Sequence, residues 1–113
     1  YKRMARRRVV FTINVEYGTR METLQKIPGM LRAIVEQQDL ITFDRAHFST
    51  YNEWSLRFEV VYYVLSADYN VYMDIQQRIN FAIYAQFEQH NIRFGFPTQS
   101  LMVKAEMNSG EAQ

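Results

Sequence analysis

Apolar residues recur at every second position in some stretches of this chain and at every third or fourth in others, and the order of these switches lays out its elements. Val9, Phe11, Ile13 and Val15 alternate with Val10, Thr12, Asn14 and Glu16, the pattern of a half-buried strand. Tyr17-Gly18 breaks it. Thr19 with Glu22 three residues on has the spacing of a capping box, and Leu24, Ile27, Leu31, Ile34 and Val35 follow at helical intervals. Pro28-Gly29 interrupts that stripe, so a kink is expected, or a restart with Pro28 in a first turn. Leu40 to Asn52 reads as a turn and a second strand whose apolar members are Phe43, Ala46 and Phe48. Leu56, Phe58, Val60, Tyr62 and Val64 make a third strand of strict alternation; its other face starts polar with Arg57 and Glu59 and turns apolar at Val61, Tyr63 and Leu65. Asp68 or Asn70 can cap a second helix, which carries Tyr72, Ile75, Ile79, Ala82, Ile83 and Phe87 on one side. Asn91 suits the left-handed residue that ends it. Phe94 and Phe96 then alternate with Arg93 and Gly95 in a fourth strand, Ile92 to Phe96, which must stop or change partners at Pro97 because proline donates no hydrogen bond.

Strand, helix, strand, strand, helix, strand closes most simply as a ferredoxin-like βαββαβ sandwich of the α+β class. Both helices then cover one face of a four-stranded antiparallel sheet and leave the other open. Phe11, Ile13, Leu31, Ile34, Phe58, Val60, Ile75, Ile79 and Phe87 are the expected core. This fold hosts many unrelated activities and names none of them.

Composition narrows the class. At 113 residues, 48% hydrophobic and 15% aromatic, the chain is one domain able to bury a core without staples. It has no cysteine, which excludes disulfides, thiolate metal sites and thiol nucleophiles. A net charge of +1 gives no general pull toward polyanions. The longest apolar run, Val60 to Leu65, is far short of the roughly 20 residues a spanning helix needs. A start at Tyr1, with no apolar segment behind a basic lead-in, is expected of a piece of a longer chain.

Few residues could carry chemistry. His47 and His90 fall in different elements, neither with a second metal-type ligand at helical or hairpin spacing, so surface or capping roles are expected and no metal. Glu36, Asp39 and Asp44 surround one loop and read as a solvated cluster. No Ser-His-Asp set, glycine-rich phosphate loop or His-Glu-x-x-His occurs, and no enzyme or cofactor is expected. Lys2, Arg3, Arg6, Arg7 and Arg8 could neutralise phosphates or anionic lipid, although such runs are commonly solvated linkers. Aromatics on such a sheet raise RNA recognition by base stacking, but Leu56 to Leu65 lacks the expected basic, glycine and aromatic order. Arg93-Phe94-Gly95-Phe96 imitates that order only on the last strand, and no nucleic-acid partner is expected.

Several separated fragments share one resemblance: Arg6-Arg7-Arg8-Val9-Val10-Phe11-Thr12-Ile13, Val15-Glu16-Tyr17-Gly18-Thr19, Ile27-Pro28, Ser55 to Val64, Tyr72 to Asn80, and the closing Phe96-Pro97-Thr98-Gln99. In order and spacing, across about residues 6 to 103, they resemble the cytoplasmic α/β domain that closes the small-conductance mechanosensitive ion channels, and within that family the subgroup with longer cytoplasmic strands. Gly95 stands where the family pattern would put a bulkier residue, which implies a looser last strand.

That resemblance implies a function belonging to an assembly. Membrane helices, a small β domain and this α/β domain would together form a tension-gated pore above a hollow, usually heptameric cage on the cytoplasmic side of the inner membrane, with side portals that filter solutes by size and charge. Residues 1 to 8, with Arg6, Arg7 and Arg8, would be the linker from the β domain; residues 9 to 97 the folded unit; and residues 98 to 104 an assembly strand. Residues 105 to 113 would be a disordered tail. Phe96, Pro97, Gln99, Leu101, Met102 and Val103 would carry the family motif and the contacts around the axis. The isolated chain is expected to be a monomer or weak dimer. The other reading is an independent ferredoxin-like module that takes a small ligand or nucleic acid on its open sheet face.

Overall fold

The computed structural model describes residues 6–95. Their elements are β1 (Arg7–Val15), α1 (Met21–Glu36), β2 (Ile41–Tyr51), β3 (Leu56–Val64) and α2 (Tyr69–Gln89). The three strands form an antiparallel sheet in the order β1-β3-β2. β3 is central because it alone is apolar on one face throughout and half-apolar on the other. Its residues Leu56, Phe58, Val60, Tyr62 and Val64 are all buried and share a core with Ile27, Leu31, Ile34 and Val35 of α1 and Ile75, Ile79, Ile83 and Phe87 of α2. Both helices therefore lie on that face.

β2 explains its own uneven spacing. Its register against β3 shifts between Phe43 and Arg45 and again between Phe48 and Thr50. Asp44 and Ser49 are thus extra residues in bulges, and they keep Phe43, Ala46, Phe48 and Tyr51 on the helix face although the intervals are three, two and three. The bulges also blunt the outer edge of β2 against pairing with another chain. Phe11 and Ile13 are packed on the core but only partly buried, contrary to expectation, because β1 is the other edge of the sheet.

Two expectations about α1 change. The capping box does not form. Arg20 is the N-cap with no side-chain cap bond, while the Thr19 hydroxyl donates 2.8 Å back to the Glu16 carbonyl and Glu22 pairs with Arg20 at 3.1 Å. Nor does the helix restart at Pro28, which lies inside one continuous element; the buried Ile27, Leu31, Ile34 and Val35 on either side outweigh the lost donor. Nothing approaches within 4 Å of a Cβ placed on Gly29. Gly29→Ala should therefore raise stability by about 0.5–1 kcal/mol through helix propensity, read from urea unfolding.

α2 starts as expected. The backbone N–H of Asn70 donates to Asp68 Oδ1 at 2.9 Å. It ends with Asn91 at φ 58°, the left-handed residue anticipated there, and Leu40 adopts φ 62° before β2. Beyond Asn91 the expected fourth strand appears, within the described residues, as a single antiparallel bridge between Phe94 and Val15. Glu16 donates to the Arg93 carbonyl at 3.0 Å and Gly95 to the Asn14 carbonyl at 2.9 Å, so this segment lies on the outer edge of β1.

Inside the core the Tyr62 hydroxyl donates to Gln76 Oε1 at 2.7 Å, and Gln76 Nε2 donates to Asn80 Oδ1 at 2.9 Å. Burial, and secondarily the phenol of Tyr72, holds the Tyr62 pKa well above its ordinary value. The folded state thus keeps a proton that the unfolded chain releases near pH 10. This contribution is complete below about pH 10 and is lost as pH rises beyond it. Urea titrations above pH 10 should show stability falling, with a shallower fall for Tyr62→Phe.

Candidate functional site

The basic lead-in is split by strand alternation. Arg7 faces the helices, where its guanidinium lies 5.2 Å from the Tyr72 ring centre and 5.6 Å from that of Tyr69, at the start of α2. Its Nε is buried without a hydrogen-bond partner. Arg6 lies 4.2 Å over the ring of Tyr63, and Arg8 pairs with Tyr63 across the ladder on the opposite face. Arginine over tyrosine is worth about 0.5–2 kcal/mol depending on desolvation. These cations are therefore fixtures at the entry to the domain rather than a freely solvated run.

The face opposite the helices presents Arg8, Val10, Thr12 and Asn14 from β1, Arg57, Glu59, Val61 and Tyr63 from β3, and Thr42, Arg45, His47 and Thr50 from β2. His47 is exposed and opposite Glu59. His90 is the C-cap of α2, its Nδ1 2.9 Å from the Gln86 carbonyl. Glu36 pairs with Arg32 at 3.1 Å and Asp44 with Arg45 at 3.2 Å, both in water. Among the described residues no group of three or more histidines and carboxylates is placed to hold a metal.

The chain leaving α2 is firmly seated. Ile92 is buried and donates to the Phe87 carbonyl at 2.8 Å, and Phe94 stacks on Phe87 with ring centres 4.9 Å apart and on Tyr84 at 6.2 Å. Phe96, Pro97, Gln99, Leu101, Met102 and Val103, expected to carry assembly, lie outside the described residues, as do the ends of the chain at 1–5 and 96–113.

Sequence reasoning missed a second surface feature. A groove of about 350 Å³ opens between the first half of α1 and the end of β2, lined by Tyr17, Met21, Leu24, Pro28, Phe48 and Tyr51. Tyr17 is held by donating its hydroxyl to the Asn52 carbonyl. Phe48 is stacked on Phe58 at 5.2 Å and met edge-on by Tyr51 at 5.2 Å. The available signal was the excess of large apolar residues in β2 beyond what α1 can cover, hidden by the bulge at Ser49. Beside the groove, Asn52 Nδ2 reaches Ser55 Oγ at 3.3 Å and Asn14 Oδ1 at 3.4 Å, tying the β2–β3 turn to β1.

These features define an α+β domain of three antiparallel strands and two helices whose distinctive chemistry is aromatic surface. Comparison with known proteins is specific. Residues 9–94 match the family described as mechanosensitive ion channel MscS, C-terminal. A small-conductance mechanosensitive channel of Methanocaldococcus jannaschii is 31% identical over 102 residues, covering 89% of this chain and 29% of that protein. A large-conductance mechanosensitive channel of the same organism is 29% identical over 104 residues, covering 88% of this chain and 29% of that protein. The closed-state crystal structure of Helicobacter pylori MscS is similar in fold, with a TM-score of 0.59 at 20% identity, covering 81% of this chain and 36% of that one. The chain belongs to the MscS family of mechanosensitive ion channels, as a C-terminal domain. It spans about 29% of the length of these curated relatives. No helix among the described residues is long and apolar enough to cross a membrane.

Proposed function

We propose that this chain is the cytoplasmic, cage-forming domain of a tension-gated channel that releases ions and solutes on osmotic shock, and that it has a structural and filtering role rather than a catalytic one. The match of residues 9–94 to the channel family, in a chain equal to 29% of its relatives, carries the reading. Seven copies would surround the axis below membrane helices on the inner membrane, with residues 1–8 joining a preceding β domain. The clamp of Arg7 on Tyr69 and Tyr72 supports that join, since it couples the entering strand to α2.

A complete ferredoxin-like sheet would add the segment from Ile92 as a fourth strand on β1. Its register supports this. With Phe94 opposite Val15 and Gly95 bonded to Asn14, the next position needing an N–H toward β1 is opposite Thr12, and that residue is Pro97. The strand would leave β1 there, freeing residues 98–104, with Gln99, Leu101, Met102 and Val103, to pair with other copies.

The test is the full reading frame and its electrical behaviour. Apolar segments of about 20 residues should precede this domain. The full-length protein in liposome patches should pass current when suction is applied. A full-length protein that inserts in the membrane yet stays silent up to rupture tension would overturn the reading.

A further inference from the structure

Two patches of exposed apolar side chains stand on different faces of a chain in which 22% of residues are charged. One is the groove of Tyr17, Met21, Phe48 and Tyr51. The other is a ridge on α2, where Met73, Phe81 and Tyr84 fall on one outward stripe with the neutral Gln77 between them, and Glu88 and Arg93 stand at its Tyr84 end. Met73 is 40% exposed, Phe81 66% and Tyr84 62%; across the molecule Tyr17 is 49%, Met21 66% and Tyr51 74% exposed. Aromatic and methionine side chains are enriched at the centres of interfaces, with charges at the rim, the place that Glu88 and Arg93 take beside Tyr84.

We propose that the α2 ridge of one copy seats in the α1–β2 groove of the next, a head-to-tail contact between neighbouring copies. This rests on the reading of the chain as a self-assembling channel domain. The groove is pre-formed, because Tyr17 is pinned to Asn52 and Phe48 is stacked on the buried Phe58. Tyr84 is likewise held by stacking on Phe94. The last described residues of the chain lie on the outer edge of β1, with β3 between them and β2, so the chain itself supplies no nearer occupant among the described residues. Because ridge and groove are different patches, pairing them leaves one of each free, and the contact propagates until rotation closes a ring.

Its size sets its strength. The exposed parts of these seven side chains, at about 200 Å² per large side chain, offer on the order of 800 Å². That is below the roughly 1,200 Å² of a stable pair. One contact is therefore weak in solution, and assembly depends on several contacts made at once by copies held at a shared axis.

The chain has no cysteine, so single-cysteine variants report contacts directly. Phe81→Cys mixed with Tyr51→Cys, oxidised with copper phenanthroline, should form a mixed disulfide on the order of tenfold faster than Glu36→Cys mixed with Tyr51→Cys, through the raised effective concentration. Either variant alone should cross-link no faster than the Glu36 control. Phe81→Glu introduced into the Tyr84→Cys variant should abolish its mixed cross-link with Tyr51→Cys, with unchanged circular dichroism confirming the fold. Equal rates for the mixed and control pairs, or preferential ridge-to-ridge cross-linking of Phe81→Cys with itself, would overturn the proposal. Those results leave the channel reading intact, since that stands or falls on tension-activated current from the full-length protein.

Discussion

Phe58→Ala is expected to cost about 3–5 kcal/mol, the range for truncating a buried aromatic. Phe58 has no exposed surface, lies at the middle of the central strand and stacks on Phe48 at 5.2 Å with the ring planes 25° apart. A cost of that size is a large share of the 5–15 kcal/mol by which domains are typically stable. Urea midpoints should therefore fall steeply, and near-ultraviolet circular dichroism at 37 °C should lose much of its signal. Phe48→Ala, at a position 38% exposed, should cost far less on the same curves but open the floor of the groove. A Phe58→Ala protein as stable as the native chain would mean that the core is centred elsewhere.

Much of this architecture is legible in the sequence because β3 and the two helices have unbroken periods. Phe58, Val60, Ile75 and Ile79 are fully or almost fully buried, as their spacing implies, and Asp68 and Asn91 occupy the cap positions their side chains favour. Local chemistry decides these cases alone. Where two local signals competed, the sequence could not show which wins. Thr19 had the spacing to cap α1, yet its hydroxyl is committed to Glu16 in the turn after β1. Pro28 argued for a break, yet the apolar stripe on both sides carries the helix through.

The surfaces were harder to read because they depend on what neighbouring elements leave uncovered. Phe48 reads as an apolar member of the second strand and is half core, half groove; Tyr51 is not among the apolar members read for that strand and is the most exposed large apolar side chain of the groove. Both answers turn on the bulge at Ser49, which has no composition signal. Arg7 reads as one of a run of like charges, and only the placement of α2 shows that it alone points toward Tyr69 and Tyr72. The segment read as decisive for assembly, from Phe96 onward, lies outside the described residues, so Leu101, Met102 and Val103 stand as part of the proposed function.

Gly95→Ala is expected to cost about 1–3 kcal/mol, the range for forcing extra volume into a packed site. Against the family pattern this glycine implies a looser last strand, whereas the structure packs residue 95 tightly. A Cβ at residue 95 would lie 2.6 Å from the Cβ of Ser55 and 3.3 Å from the carbonyl carbon and oxygen of Val15. Ser55 cannot swing away, because the contact is with its Cβ and it is buried in the turn just before β3, where its carbonyl accepts from the Asn52 N–H at 2.8 Å. The added methyl must instead push residue 95 off β1, lengthening the bond from Gly95 to Asn14 and lifting Phe94 from Phe87 and Tyr84. The loss should therefore be local as well as global: amide exchange at residues 93–95 and ring shifts of Phe94 should change before the helices do. Ser55→Gly removes the opposing Cβ, so in the double variant Gly95→Ala should cost clearly less than it does alone, a coupling measurable by a double-mutant cycle. Additive costs in that cycle would show that the alanine is accommodated without meeting Ser55, and that the close approach of the exit segment to the β2–β3 turn is not what fixes residue 95.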